Sequence, residues 1–389
     1  MRTAIPQRFR SLSLGFGLGL SLVLAACGGG NNDGNLNEVP SQPASAKVGH
    51  VFVIVLENKS YDTSFGATPS EAPYLTQTLP AMGALLQNYY GTAHNSQPNY
   101  VAMISGQGPN TQMQLDCQIF SNFVGSGPLG GNQQAVGTGC VLPTSVTSIA
   151  DQLEAAGLGW KAYMEDMGAD PSREASTCGH PDVGSRDNTQ SATATDQYAT
   201  RHNPFVYFHS IIDDQARCDA RVVNLNQLPA DLADAASTPN LVFITPNLCN
   251  DGHDSQCADG EVGGLTGINR FLQKWVPQLI AAPAFRDDGL LIITFDESDG
   301  PTSDSSACCG ETGLNGLTGP GGGRIGAVLL SPFIKPGTVS TNDYNHYSLL
   351  RSMEDLFGLA YLGYANDRAQ ASFGSDVFTQ QMPVFPTKN

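Results

Sequence analysis

The 389-residue chain predicts an α/β fold, a mostly parallel central sheet flanked by helices on both faces, and three observations carry that expectation. Short runs rich in Val, Ile, Leu and Phe recur along it, amphipathic helical patterns fall between them, and several of the runs stop abruptly at carboxylate, amide or imidazole side chains. In a parallel sheet the carboxyl ends of the strands line one edge, which is where such folds place their chemistry.

Taken in order, residues 50–56 (HVFVIVL) read as a buried strand ending at Glu57 and Asn58. Further strands are expected at Leu86 to Tyr90, Gly159 to Met164, Leu241 to Thr245, Gly289 to Phe295 and Ile325 to Leu330. Helical patterns cover Ser145 to Ala156, opened by the caps Thr144 and Ser145, and Gly267 to Ala282, interrupted at Pro277. A third helix follows His346, with Leu349, Leu350, Met353, Leu356 and Phe357 on its apolar face. The Gly-rich stretches Gln107 to Gly139 and Asp299 to Gly323 read as surface excursions stapled by cysteines. No internal repeat is present, and one domain is expected over 47–389.

The N-terminus has the order of a secretory signal: Arg2, Arg8 and Arg10, an apolar stretch from Leu12 to Leu24, then Leu24-Ala25-Ala26-Cys27. These last four residues resemble a bacterial lipobox. The resemblance implies a signal peptide over 1–26, lipidation of Cys27, and an outer-membrane destination, since Gly28 and not Asp follows the cysteine. Residues 27–46 then form the lipidated Cys and a flexible Gly-, Asn-, Ser- and Pro-rich tether with a reach of about 24 Å. The expected link to the membrane is thus an anchor.

Eight cysteines remain after Cys27, an even number suited to disulfides in an exported chain. None stands in a CxxC zinc spacing; Cys249 and Cys257 are the nearest separated pair, and Cys308 and Cys309 either join each other or pair elsewhere. The formal charge of −17, made more negative by loss of the signal arginines, argues against a nucleic-acid partner.

Three strand ends deliver oxygen and imidazole groups to one edge: Glu57-Asn58, Asp296-Glu297, and the Asn247 to Asp254 segment with Asp251 and His253. Such a donor set suits a divalent cation, and a carboxylate that directly follows six apolar residues needs a cation or a charged partner. After the strand LQNYY comes His94-Asn95-Ser96-Gln97-Pro98-Asn99, in which Pro98 opens a helix and Ser96 sits at the elbow. A serine there becomes a nucleophile if a cation lowers its pKa, or is simply a helix cap.

At these residues the chain resembles the bacterial phosphoesterase family of acid phosphatases and phospholipases C, within the alkaline phosphatase-like superfamily. The motifs are ENKSYDTSFG at 57–66, HNSQPNY at 94–100, HNPFVYF at 202–208, NDGHD at 250–254, DESDG at 296–300 and NHYSLLRSMEDLFG at 345–358. The resemblance implies an alkaline phosphatase-like fold and a metal-dependent phosphomonoesterase working through a phosphoserine on Ser96. Glu57, Asn58, Asp296, Glu297 and Asp251 are the implied ligands of one or two divalent ions. His346 and His253 are the implied catalytic histidines, and Asn99, His202 and His94 the implied substrate contacts. Tyr100 stands where the larger phospholipases have Arg, which favours the shorter acid phosphatase branch. A phospholipase C-like diesterase and a non-catalytic surface lipoprotein that binds a partner are the alternatives.

Overall fold

The computed structural model describes residues 48–125, 127–311 and 321–379, so the expected signal peptide, Cys27 and tether lie outside the described residues. Ten strands are formed among the described residues: β1 (His50–Leu56), β2 (Ala84–Tyr90), β3 (Val124–Gly125), β4 (Gly137–Thr138), β5 (Trp160–Met164), β6 (Val222–Asn224), β7 (Leu241–Thr245), β8 (Gly289–Phe295), β9 (Ala327–Leu330) and β10 (Thr338–Asn345). Eight of them make one sheet in the order β10-β2-β9-β8-β1-β7-β5-β6, while β3 and β4 form a separate small hairpin. All six expected strands are present.

Every residue of β7, β8 and β9, and all of β1 after His50, is buried. Side chains alternate between the two faces of a strand, so burial at every position means that both faces are covered. The two strands of the large sheet that patterning missed are its edges. β6 is three residues long, and β10 (TVSTNDYN) is polar with half of its residues exposed, which is how edges avoid pairing with another chain.

β1 lies parallel to both β7 and β8, and Leu56 stands opposite Phe295. β5 continues the parallel pairing to β6 and β7, and β10 is parallel to β2. β9 alone is reversed, pairing antiparallel with both β8 and β2. Glu57, the segment after Thr245, Asp296, the turn after Tyr90 and His346 therefore all emerge at one edge. Past the strand ends the backbone ladder persists: Glu57 N donates to Asp251 O and Asp296 N to Leu56 O, each at 2.8 Å.

The helix expected from residue 145 begins later, at Ile149–Ala155, because Ser148 and Asp151 form a reciprocal capping box that Thr144 and Ser145 do not. The long helix Gly264–Ala281 runs through Pro277 without ending. Ser96–Ser105 is a helix with every residue buried, stopped by Gly106 at φ 66°. It packs against the helix His346–Phe357, capped by the Asn345 side chain on Ser348 N. Disulfides join Cys117–Cys140, Cys178–Cys218, Cys249–Cys257 and the vicinal Cys308–Cys309.

Candidate metal and nucleophile centre

β1 hands the chain to Glu57 and then turns at Asn58, whose φ of 57° lies in the left-handed region that Asn tolerates. This turn aims both side chains at the sheet edge. Asn58 Nδ2 donates to Glu57 Oε2 at 2.9 Å, and Asn58 N donates to Asp296 Oδ1 at 3.0 Å. Ser96, at the start of its helix, donates its hydroxyl to Glu57 Oε2 at 2.8 Å, and Tyr100, one turn on, donates to Glu57 Oε1 at 2.8 Å. Glu57, Asp251 and Asp296 are each 0% exposed and Ser96 3%.

His202 stands between two of these acids, with Nε2 3.3 Å from Glu57 Oε1 and Nδ1 3.2 Å from Asp251 Oδ2. The Tyr100 ring stacks on it at 5.2 Å and 7°. Neither His202 nitrogen makes a hydrogen bond, and Asp251 Oδ2 and Asp296 Oδ2 are likewise buried without a partner. One donor atom from each of Glu57, His202 and Asp251 lies within 4.8 Å of the others. Buried acids with unused oxygens around an unprotonated imidazole are a donor set that fits a divalent cation.

Electrostatics point the same way. Burial pushes the Glu57 carboxyl well above its usual value; Asp296 and Asp251 add to the shift, while Arg201 and the Tyr100 hydroxyl oppose it. Burial likewise raises Asp251, Asp296 and Glu297. His202 is driven well below its usual value by burial, then by the charges of Arg201 and His253, and His346 falls to about 4 through burial. Burial therefore favours the neutral form of both histidines.

The remaining sequence-expected residues flank this cluster. Glu297 and His94 pair through a short Oε2 to Nδ1 contact, and the carbonyl of Asp304 takes the other His94 nitrogen at 3.0 Å. His346 is held by the Asp296 carbonyl (2.5 Å) and the Tyr89 hydroxyl (3.3 Å). His253 pairs Nδ1 with Asp254 (2.7 Å) and accepts from Arg201 Nη2 at 3.2 Å; it lines a cavity of about 330 Å³. Asn99 has all its polar atoms engaged with residues 92–95, so it staples the elbow and has no free group for a substrate.

Arg201, Tyr100 and Asp116 were missed as contributors. Arg201 is 3% exposed and its charge acts on Glu57 and Asp251. Its position directly before His202 was the available signal. In sequence Tyr100 stands out only as a departure from the phospholipase pattern, and its bond to Glu57 depends on a helix turn meeting a distant strand end. Asp116, on the first excursion, accepts from Gln97 N at 3.0 Å, beside the serine.

A buried serine and a cluster of buried acids thus meet at the carboxyl edge of an α/β sheet, with a donor set that fits a divalent cation. The chain belongs to the Phosphoesterase family, whose family model matches residues 68–360. It is 26% identical over 315 residues to an acid phosphatase of Aspergillus fumigatus, covering 80% of this chain and 55% of that protein. A phosphate-repressible acid phosphatase of Penicillium chrysogenum is 27% identical over 84% of this chain and 64% of its own length. The chain thus spans less than two thirds of these fungal relatives. A phosphatidylinositol-3-phosphatase of Mycobacterium tuberculosis is 24% identical, with 82% of this chain and 80% of that protein covered. The fold is shared with an alkaline phosphatase superfamily protein from Vibrio parahaemolyticus, at TM-score 0.50 and 12% identity over 82% of this chain and 69% of that one.

Proposed function

We propose that the chain hydrolyses phosphomonoesters through a phosphoserine formed on Ser96. The observation that carries this reading is the 2.8 Å bond from the Ser96 hydroxyl to the buried Glu57 carboxylate at a helix start, next to donor atoms with no partner. Glu57 Oε2 takes the hydroxyl proton as the serine oxygen attacks phosphorus and the bond to the alcohol oxygen breaks, the departing oxygen taking a proton from solvent to leave as the alcohol. Water then cleaves the phosphoserine, and the proton returns from Glu57 to Ser96. A divalent cation held by Glu57, Asp251, Asp296 and His202 would neutralise phosphoryl charge and keep these acids ionised despite their burial. Asn58 fixes the Glu57 carboxylate and the Asp296 carboxylate relative to each other. Tyr100 holds the second Glu57 oxygen.

Ser96→Ala removes one hydroxyl and leaves the helix intact, so turnover of p-nitrophenyl phosphate should vanish while the unfolding transition is kept. Full activity in that variant would sink the mechanism. The match to the phosphatidylinositol-3-phosphatase, balanced over both chains, favours a phosphorylated lipid head group as the alcohol. Anchoring through Cys27 in the cell envelope would bring the centre close to such a substrate; a Cys27→Ser chain released from the membrane fraction would support the anchor.

A further inference from the structure

The first turn of the Ser96 helix already carries an anion. Its N-cap Asn95 makes no capping bond with its own side chain. The Asn95 amide bonds Glu297, Pro98 has no N–H to offer, and Gln97 N donates to Asp116 Oδ1 at 3.0 Å. Asp116 Oδ2 is also 3.4 Å from Asn95 Nδ2. A carboxylate delivered from a separate excursion thus occupies the positive end of the helix, beside the nucleophile.

Its placement is over-determined. Asp116 and Cys117 both have positive φ, 52° and 50°, and Cys117 is tied to Cys140. Gln190 Nε2 holds the Asp116 carbonyl at 3.0 Å. The charged and titratable groups around it are Glu297, Asp187 through Gln190, Tyr207, and Arg201, which donates to the Gln190 carbonyl.

We propose that Asp116 is a charge-selecting residue of this site: its carboxylate disfavours a phosphoryl group bearing two negative charges and tunes the centre to singly charged phosphoesters. The inference rests on the phosphoesterase reading above. Phosphomonoesters lose their second proton near pH ~6, so the residue gives an acid-side preference for monoesters without any protonated histidine. Phosphodiesters, singly charged throughout, escape the discrimination. A residue that only caps the helix would hold the amide without this selectivity.

The test compares the wild-type chain with Asp116→Asn, which keeps an acceptor oxygen without the charge, and Asp116→Ser, whose hydroxyl also caps a helix. Two quantities are read: binding of inorganic phosphate by calorimetry at about pH 7.5, where it is mostly dianionic, and the fall in kcat/KM for p-nitrophenyl phosphate between about pH 5 and 7.5, normalised to bis(p-nitrophenyl) phosphate. Both variants should bind phosphate about tenfold tighter, equivalent to about 1.4 kcal/mol, and the normalised fall should shrink by a similar factor. Phosphate affinity and normalised profile within about twofold of wild type in both folded variants would overturn the proposal. Phosphate binding is measured without turnover, so an inactive wild-type chain would defeat the phosphoesterase reading alone.

Discussion

Replacing Asn99 with Ala removes five hydrogen bonds at once. Asn99 Oδ1 accepts from Thr92 N (2.9 Å), the Thr92 hydroxyl (3.1 Å) and Ala93 N (3.0 Å), while Nδ2 donates to Ala93 O (2.8 Å) and Asn95 O (3.0 Å). Asn99 is 0% exposed and Thr92 and Ala93 are 2% exposed, so water cannot readily replace these bonds. At about 1 kcal/mol net for each bond, with part recovered by relaxation of the loop, the loss is about 3–5 kcal/mol. Asn99→Asp keeps the three accepted bonds but sets a carboxylate against two carbonyls, so it should cost about 2–3 kcal/mol. Urea unfolding followed by circular dichroism measures both variants, and activity at temperatures where each is folded separates structure from chemistry. An Asn99→Ala protein within about 1 kcal/mol of wild type, with kcat much reduced, would refute the staple and restore Asn99 as a phosphate contact.

Tyr100→Phe should lower kcat about tenfold through loss of one charge-assisted bond to Glu57, with little change in stability because the ring keeps its stack on His202; unchanged kcat would count against that bond. Removing bound metal with a chelator and titrating Mg²⁺, Mn²⁺, Ca²⁺ or Zn²⁺ back should raise Tm by about 5 °C at a hundredfold excess over Kd, and Glu57→Gln should blunt the rise. A flat melting curve with every ion would argue against the cation. Burial pushes the Glu354 and Glu174 carboxyls up to about 8. From about pH 4.5 to 8 the folded chain holds protons that the unfolded chain has released, so stability should fall as pH rises through that window. Glu354→Gln is neutral throughout and should flatten the slope of Tm against pH; an unaltered slope would show that Glu354 does not carry it.

Much of the centre was legible because β1, β7 and β8 are uniformly apolar and end in polar residues without a transition. A parallel sheet then does the rest, bringing Glu57, Asp251 and Asp296 to one edge from positions spread over about 240 residues of the chain. The edge strand β10 was hidden because solvent lets an outer strand be polar, and the reversal of β9 leaves no mark in a four-residue apolar run. Residue type alone also failed to separate binding groups from braces. Asn99, expected as a substrate contact, has its hydrogen-bonding capacity taken by its neighbours, and His346, expected as a catalytic histidine, lies against the Asp296 carbonyl and the Tyr89 hydroxyl. Arg201, Tyr100 and Asp116 act through partners far away in sequence, a relation that no local pattern expresses.

The reversal of β9 also decides where this protein can change without losing its machinery. A chain leaving β8 beside Asp296 would ordinarily have to cross the whole sheet before starting another parallel strand; here it departs and returns at the same edge. Both rims are pinned. Ser298 N donates to Gly322 O and Gly322 N to Gly91 O, each at 2.8 Å, at a contact where a Cβ on Gly322 would lie 2.3 Å from the Ala93 carbonyl. Between such fixed rims, doubling a segment's length adds only about 0.6 kcal/mol of closure entropy. Within the excursion the Asp304 carbonyl is tied to both His94 and the Ser298 hydroxyl, so changes that suit a new alcohol while leaving the acids where the sheet put them belong away from Asp304.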